Sequence, residues 1–279
     1  MGGVPALPQI DSLGIIAGSR SLPLVIAREA RAKGIKRIVA VAFTNETNPE
    51  IEGLADQTHW LRVGQLSKLI SAFKTGGVRH CVMAGQIAPK NIFDVRPDLR
   101  GLSLLLRLKE KNAHTVFGAI ADELKKEGIE LIPGTPWLES AMPGTSFHRG
   151  PKLTREQHDD LTFALRIAKE AARLEIGQTV VVKDGVVLAV EAFEGTDQCL
   201  ARGGLLGGKS GGVAVKVAKD NHDMRFDLPC IGAQTLQTCA DTGIAVLGFE
   251  AGKTIILDRE AVEAVVNKYR VALCAIASE

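Results

Sequence analysis

The chain has 279 residues, of which 46% are hydrophobic and 24% charged, with a formal net charge of +2. That length suits one large domain or two ordinary ones, and that apolar content fills a core, which excludes wholesale disorder. A near-neutral charge and an aromatic content of 4% provide neither the electrostatic footprint nor the stacking platforms of nucleic-acid recognition, so no nucleic-acid partner is expected.

The opening MGGVPALPQIDSLG lacks the basic and long apolar regions of a secretory signal, and Ala6 stands where a myristoylation site needs Ser or Thr. No run approaches about 18 uninterrupted apolar residues, so no membrane span is expected. Cys81, Cys199, Cys230, Cys239 and Cys274 are odd in number and show no CxxC spacing. They read as reduced, mostly buried thiols of a cytoplasmic protein, not as zinc ligands.

In chain order, the apolar run Leu13-Gly14-Ile15-Ile16 leads into Ala17-Gly18-Ser19-Arg20 and then into a helix that Pro23 opens in its first turn. Leu22, Ile26 and Ala30 repeat at helical spacing, and Gly34 ends the helix. The β-rich run 37–43 completes a βαβ unit and predicts a parallel sheet. A second unit follows, with a helix near 66–73 and a strand at 80–84.

Turn formers are dense between 132 and 150: Pro133, Gly134, Pro136, Pro143, Gly144 and Gly150. The same stretch carries Trp137, Met142 and Phe147, too much apolar surface for a flexible tether. The expected organisation is an N-terminal domain (1–132), a packed interdomain linker (133–150) and a mixed α/β C-terminal domain (151–279).

The second half opens on Thr154 and Gln157 at capping-box spacing. Leu161, Ala164, Leu165, Ala168, Ala171 and Ala172 form one apolar stripe, and Gly177 is expected to close the helix. Strands at 179–183 and 186–192 flank Asp184-Gly185, a strong hairpin signal. Further strands are expected at 213–217, 244–249, 254–257 and 271–276, and helices near 234–240 and 258–268. The glycine-rich stretch 202–212 reads as a mobile loop. No internal repeat is visible.

Three places carry candidate chemistry. The turn Ala17-Gly18-Ser19-Arg20-Ser21-Leu22-Pro23 follows a strand and precedes a helix, where free N–H groups and the helix dipole suit a phosphate; it is equally readable as a plain tight turn. Gly203 to Ser210 fits the P-loop spacing, but Ser210 leads into glycines and a β-branched run where a P-loop opens a helix. The third is acidic: Glu191, Glu194 and Asp197 cluster after the hairpin, and Asp223, Arg225 and Asp227 share one face if their segment is extended. Hard carboxylate oxygens on one face suit Mg²⁺ or Mn²⁺, and arginine can fork a phosphate oxygen; a solvated, salt-bridged strand edge is the competing reading. His59, His80, His114, His148, His158 and His222 show no ligand spacing, and His158-Asp159-Asp160 reads as the first turn of a helix.

The combination of Leu22-Pro23, Ala84-Gly85-Gln86-Ile87-Ala88-Pro89, Leu174-Glu175-Ile176-Gly177-Gln178, the stretch ending Glu194-Gly195-Thr196-Asp197, Val215-Lys216-Val217 and Arg225-Phe226-Asp227-Leu228-Pro229 resembles the LpxI-type UDP-2,3-diacylglucosamine pyrophosphatases over nearly the whole chain. The resemblance implies an α/β fold of two domains, the first Rossmann-like, with the substrate between them. It implies Mg²⁺-dependent hydrolysis (Mn²⁺ being the alternative ion) of a lipid-linked UDP-sugar to UMP and 2,3-diacylglucosamine 1-phosphate in lipid A biosynthesis. Asp227 matches the family's key acid, with Asp223 as a supporting carboxylate and Arg225 as a charge-offsetting catalytic group. The metal set implied is Asp227, Asp223, Asp197 and Glu194. Substrate contacts are expected from Gly18, Ser19, Leu22, Pro23, Gly85, Gln86, Thr196 and Lys216, and acyl contacts from Trp137, Leu138, Met142 and Phe147. Such a protein works in the cytoplasm with transient contact at the inner-membrane surface, and a homodimer is compatible with it. The alternative is a non-catalytic uridine-nucleotide or lipid-binding protein of the same fold.

Overall fold

The computed structural model describes residues 10–87, 97–109, 113–218, 225 and 229–277. The chain forms two compact units, one holding the elements up to Leu138 and the other beginning at Glu139.

The first unit is built on a five-stranded parallel sheet in the order β3-β2-β1-β4-β5. Strands β1 (Ser12–Ala17), β2 (Arg37–Phe43) and β4 (His80–Ala84) are nearly continuous apolar runs and are buried almost throughout. Such runs are what a parallel sheet covered on both faces demands. Helix α1 (Leu22–Ala32) buries Leu22, Ile26 and Ala30 as their spacing predicts. Helix α2 (Leu66–Thr75) buries Leu66, Leu69, Ile70 and Phe73.

Strand β3 (Gln57–Leu61), helices α3 (Leu99–Arg107) and α4 (Ala113–Lys126) and the short β5 (Glu130–Leu131) complete the unit. Asp98 caps α3 by accepting from the Gly101 amide. Arg100 then ties α3 to α4 through Glu123 and Glu127, each at 2.8 Å. Lys126 and, next, Arg100 hold the Glu123 carboxyl below its ordinary range. Trp137 and Leu138 are buried in this unit, where a 3₁₀ turn over Thr135–Trp137 folds the Pro/Gly-rich chain back and Lys33 donates to the Pro136 carbonyl.

The second unit carries a six-stranded mixed sheet in the order β6-β13-β11-β9-β7-β8. Strand β9 (Gly212–Lys216) pairs in parallel with β11 (Ile244–Glu250), which pairs in parallel with β13 (Ala272–Ile276). The hairpin β7 (Thr179–Lys183) and β8 (Val186–Val190) extends the sheet antiparallel, and β6 (His148–Arg149) closes the other edge. Asp184 and Gly185 both have positive φ, 50° and 74°, as a two-residue primed turn requires. Asp160 holds that turn from helix α5 (Arg155–Arg173), accepting from the amides of Asp184 at 2.9 Å and Gly185 at 2.8 Å. That buried aspartate is thereby structural. A separate parallel pair joins β10 (Cys230–Ile231) to β12 (Ile255–Ile256), and helices α7 (Ala233–Thr242) and α8 (Arg259–Tyr269) complete the unit.

Two sequence expectations are corrected. Helix α5 forms its Thr154–Gln157 capping box but ends at Arg173, with Glu175 in a left-handed conformation at φ 59°. Gly177 lies beyond the helix and serves another purpose: a Cβ there would sit 2.0 Å from the Glu191 carbonyl oxygen. The stretch 202–212 is not a loop in its first part, because helix α6 runs over Thr196–Leu206 and only the residues between it and β9 form a turn. Gly203 and Gly204 are buried, and Cβ atoms on them would meet Val181 at 2.6 Å and the Thr242 carbonyl at 2.4 Å. Their glycines permit close packing on β7 and α7, not mobility. The order helix, turn, strand is the reverse of a P-loop.

Among the described residues, no helix is long and apolar enough to cross a membrane. The five cysteines form no disulfide, and only Cys230 is not fully buried. Burial raises the Cys274 thiol to about 11 and the Cys199 thiol to about 12, and pushes Cys81 and Cys239 higher still. Since the thiolate is the reactive form, a maleimide at pH 8 should label Cys230 first in the native protein, with the other four reacting only on unfolding. Mass spectrometry of the labelled peptides checks this; fast native labelling of Cys81 or Cys239 would contradict the packing.

Candidate functional site

In the first unit, the chain runs from β1 to β2 to β3 in one direction across the sheet, then returns to the far side of β1 for β4. The carboxyl ends of β1 and β4 therefore flank a topological switch point, the place where open α/β sheets bind ligands. Two segments singled out by sequence, 67 positions apart, meet there. The Gly18 amide donates to the Ala84 carbonyl at 2.7 Å, and both the Ser19 amide and the Ser19 hydroxyl donate to the Gln86 carbonyl at 2.7 Å.

Backbone approaches so closely that side chains are excluded. A Cβ on Gly18 would lie 2.7 Å from the Gln86 oxygen, and one on Gly85, whose φ is +86°, would lie 2.4 Å from the Ser19 oxygen. Thr47, in the turn that follows β2, braces the same end, accepting from the Phe43 amide and donating to the Ala17 carbonyl. Leu22 and Pro23 are buried and seat the first turn of α1. Ser21, at the N-cap, contributes no side-chain cap, so the N-terminal amides of α1 retain their affinity for an anion.

In the second unit, Lys216 ends β9 and is half-buried. Its Nζ donates to the Thr196 hydroxyl and to the Cys230 carbonyl, each at 3.1 Å. Thr196 begins α6, donates to Glu191 Oε1 at 3.2 Å and accepts from the Thr179 hydroxyl at 3.4 Å. An ammonium group thus sits against a helix N-terminus, which is an electropositive pairing suited to phosphate oxygens. Glu191 also accepts from the Gln178 amide at 3.4 Å, a contact that the missing side chain of Gly177 allows.

The predicted acids divide into those the structure places and those it does not. Asp197 accepts from the Thr235 hydroxyl at 3.0 Å through one carboxylate oxygen. Glu194 is committed to Arg202 at 2.5 Å and to the Ala192 amide at 3.1 Å, and the Arg202 bond chiefly keeps its carboxyl below the ordinary range. Arg225 is half-buried. Asp223 and Asp227 lie outside the described residues. Among the described residues no group of three His, Cys, Asp or Glu side chains is arranged to hold a metal.

Thr235, Cys230 and Gly177 were not legible as partners of this constellation from sequence; the Leu-Glu-Ile-Gly-Gln stretch pointed at the last without its reason. Of the residues expected to meet acyl chains, Trp137 and Leu138 lie in the first unit's core. Phe147 lies in the second's, 5.7 Å from the Phe249 ring and beneath the Arg149 guanidinium, while Met142 is half-buried.

A Rossmann-like sheet with a glycine turn at its switch point, followed by a mixed-sheet unit with a lysine at a helix N-terminus, defines a two-unit α/β protein. Residues 12–141 match the LpxI N-terminal domain and residues 145–274 match the LpxI C-terminal domain. The chain belongs to the LpxI family. It is 32% identical over 261 residues to the UDP-2,3-diacylglucosamine pyrophosphatase LpxI of Caulobacter vibrioides, covering 90% of this chain and 92% of that protein.

Likeness to two solved structures is loose. A biotin carboxylase domain of a thermophilic 2-oxoglutarate carboxylase superposes with a TM-score of 0.28 at 14% identity, over 62% of this chain and 35% of that one. Glycinamide-RNase-transformylase T of Mycobacterium tuberculosis gives 0.26 at 12% identity, over 65% and 44%. Superpositions at that level carry no functional argument.

Proposed function

We propose that the chain is a UDP-2,3-diacylglucosamine pyrophosphatase acting in lipid A biosynthesis, in the cytoplasm at the surface of the inner membrane. The observation that carries this reading is the match to both LpxI domains in order, with a named pyrophosphatase relative aligned over nine-tenths of the chain. Water adds to one phosphorus of the diphosphate, the anhydride P–O bond breaks, and the bridging oxygen leaves with the other phosphate. UMP and 2,3-diacylglucosamine 1-phosphate result.

The chain's own residues supply binding and charge. The N-terminus of α1, set by the Gly18-Ser19 turn, receives phosphate oxygens on main-chain N–H groups, because Ser21 supplies no side-chain cap there. Lys216 and the first turn of α6, with the Thr196 hydroxyl, offset negative charge that grows in the transition state. Arg225 adds a further guanidinium to that charge balance.

Carboxylate oxygens are the donors that a hard divalent cation takes, and Asp227 and Asp223 are the acids that would hold Mg²⁺ or Mn²⁺. Asp197 is engaged by the Thr235 hydroxyl and Glu194 by Arg202, so the principal metal role is proposed for Asp227 and not for either of them. When bound, such an ion neutralises phosphate oxygens and makes water a stronger nucleophile.

The test is hydrolysis of UDP-2,3-diacylglucosamine with Mg²⁺, after EDTA, and after Mg²⁺ is restored. UMP and the diacylglucosamine 1-phosphate should appear in equal amounts, vanish with EDTA and return with the ion. Binding of the UDP-lipid without turnover, in folded and metal-replete protein, would instead mark a non-catalytic binding protein. Equal turnover of UDP-sugars without acyl chains would mark a different nucleotide-sugar hydrolase.

A further inference from the structure

Glu250 ends β11 and is fully buried, at 0% exposure. One carboxylate oxygen accepts the backbone N–H of Ala218 at 2.9 Å. The other lies 2.5 Å from the Lys253 ammonium and 3.4 Å from the Lys169 ammonium. Lys169, projecting from α5, also donates to the Ala218 carbonyl at 3.5 Å. Both main-chain polar groups of Ala218, itself 1% exposed, are thus gripped by an ion pair of a buried carboxylate and a half-buried lysine, drawn from a strand and a helix far away in sequence.

Burying a carboxylate is costly, and ion pairs in protein interiors often contribute less stability than apolar residues of the same volume. Among the described residues, the bonds of Glu250 go to Ala218, Lys253 and Lys169 and not to the Gly18 turn or the Lys216 constellation. What it fixes is a point on the backbone. Ala218 lies two residues past Lys216 and immediately before the segment that carries Asp223, Arg225 and Asp227. The far end of that segment is held as well: the Ile255 amide donates to the Pro229 carbonyl at 2.8 Å, and Lys216 donates to the Cys230 carbonyl.

We infer that Glu250 and Lys169 form a positioning clamp that fixes where the acid-bearing segment leaves the sheet, and that they control turnover without touching the substrate. This inference rests on the pyrophosphatase reading for its consequence, but not for its geometry. A clamp of this kind sets the geometry of reacting groups, and a misplacement of about 1 Å there lowers turnover by about a hundredfold.

Three variants of the full chain test it: Glu250→Ala, which removes the acceptor; Glu250→Gln, which keeps a carbonyl for the Ala218 amide; and Lys169→Met, which removes the second grip. Folding is followed by circular dichroism and thermal unfolding. Glu250→Ala should lose about a hundredfold in kcat with KM changed less than about threefold, and Glu250→Gln should recover to within about tenfold of the parent. Hydrogen exchange at the Ala218 amide should quicken by about tenfold or more in Glu250→Ala while β9 and β11 stay protected.

A folded Glu250→Ala protein with parental kcat and parental protection at Ala218 overturns the clamp. Should Glu250→Ala not fold, Glu250→Gln and Lys169→Met decide it, a parental kcat and Ala218 protection in Lys169→Met overturning it. Should the parent turn over no substrate, the pyrophosphatase reading fails separately, and exchange at Ala218 alone decides the clamp.

Discussion

Asp227→Asn is expected to leave a folded protein whose turnover is lower by about a thousandfold, or ~4 kcal/mol in the barrier. The substitution preserves shape and one carbonyl acceptor and removes only the negative charge. If Asp227 is the principal ligand of a divalent cation, that charge is what holds the ion and aligns it with the diphosphate. The loss should therefore fall on kcat and on the Mg²⁺ concentration giving half-maximal activity, while UMP binding measured by calorimetry persists. Asp197→Asn gives the contrast. Its described bond, to the Thr235 hydroxyl, survives in an asparagine carbonyl, so the loss should be far smaller. An Asp227→Asn protein within tenfold of the parent would sink the assignment of this acid.

Gly85→Ala is the second large effect, and it comes from the backbone. Gly85 holds φ at +86°, which L-residues rarely adopt, and its new Cβ would lie 2.4 Å from the Ser19 carbonyl oxygen. Neither atom belongs to a flexible side chain, so the Ser19–Gln86 bridge must open or the turn must shift. Strain plus this clash should cost about 2–4 kcal/mol. Thermal unfolding of the first unit should fall by about 5–10 °C, and surviving protein should show a KM raised by about tenfold or more. Gly77→Ala separates the two causes. Gly77 also has positive φ, +70°, but a Cβ there meets nothing within 4 Å, so only the strain remains and KM should not move. Equal damage from the two would mean that the close approach at the switch point has no bearing on binding.

How much of this was legible in the sequence differs between elements for physical reasons. Strands β1, β2 and β4 are buried on both faces, so their apolar runs announce them directly, and the Asp184-Gly185 hairpin is written in residues that tolerate positive φ. Strand β3 carries Gln57, His59 and Trp60 in a part-exposed edge and has no such pattern. Helix α6 was misread because Gly203 and Gly204 lower local helix propensity while enabling contact with Val181 and Thr242, partners that only the tertiary fold supplies. At the site, the Gly18 turn and the Gly85-Gln86 pair were each visible, but that they meet depends on strand order, which a linear pattern does not encode. The anchoring roles of Thr235, Lys169 and Glu250 depend on the same long-range adjacency.

The two sheets also differ in when they can be completed. Every strand of the first unit's sheet is synthesised before Leu138, and its central strand β1 emerges first, so this sheet can form while the rest of the chain is still on the ribosome. In the second unit β13 inserts between β6 and β11, so Arg149 and His148 find their partners Leu273 and Cys274 only after nearly the whole unit has been made. Until then β11 presents an unpaired edge. A nascent or truncated chain lacking β13 is thereby the form most exposed to strand-mediated aggregation and to chaperone capture.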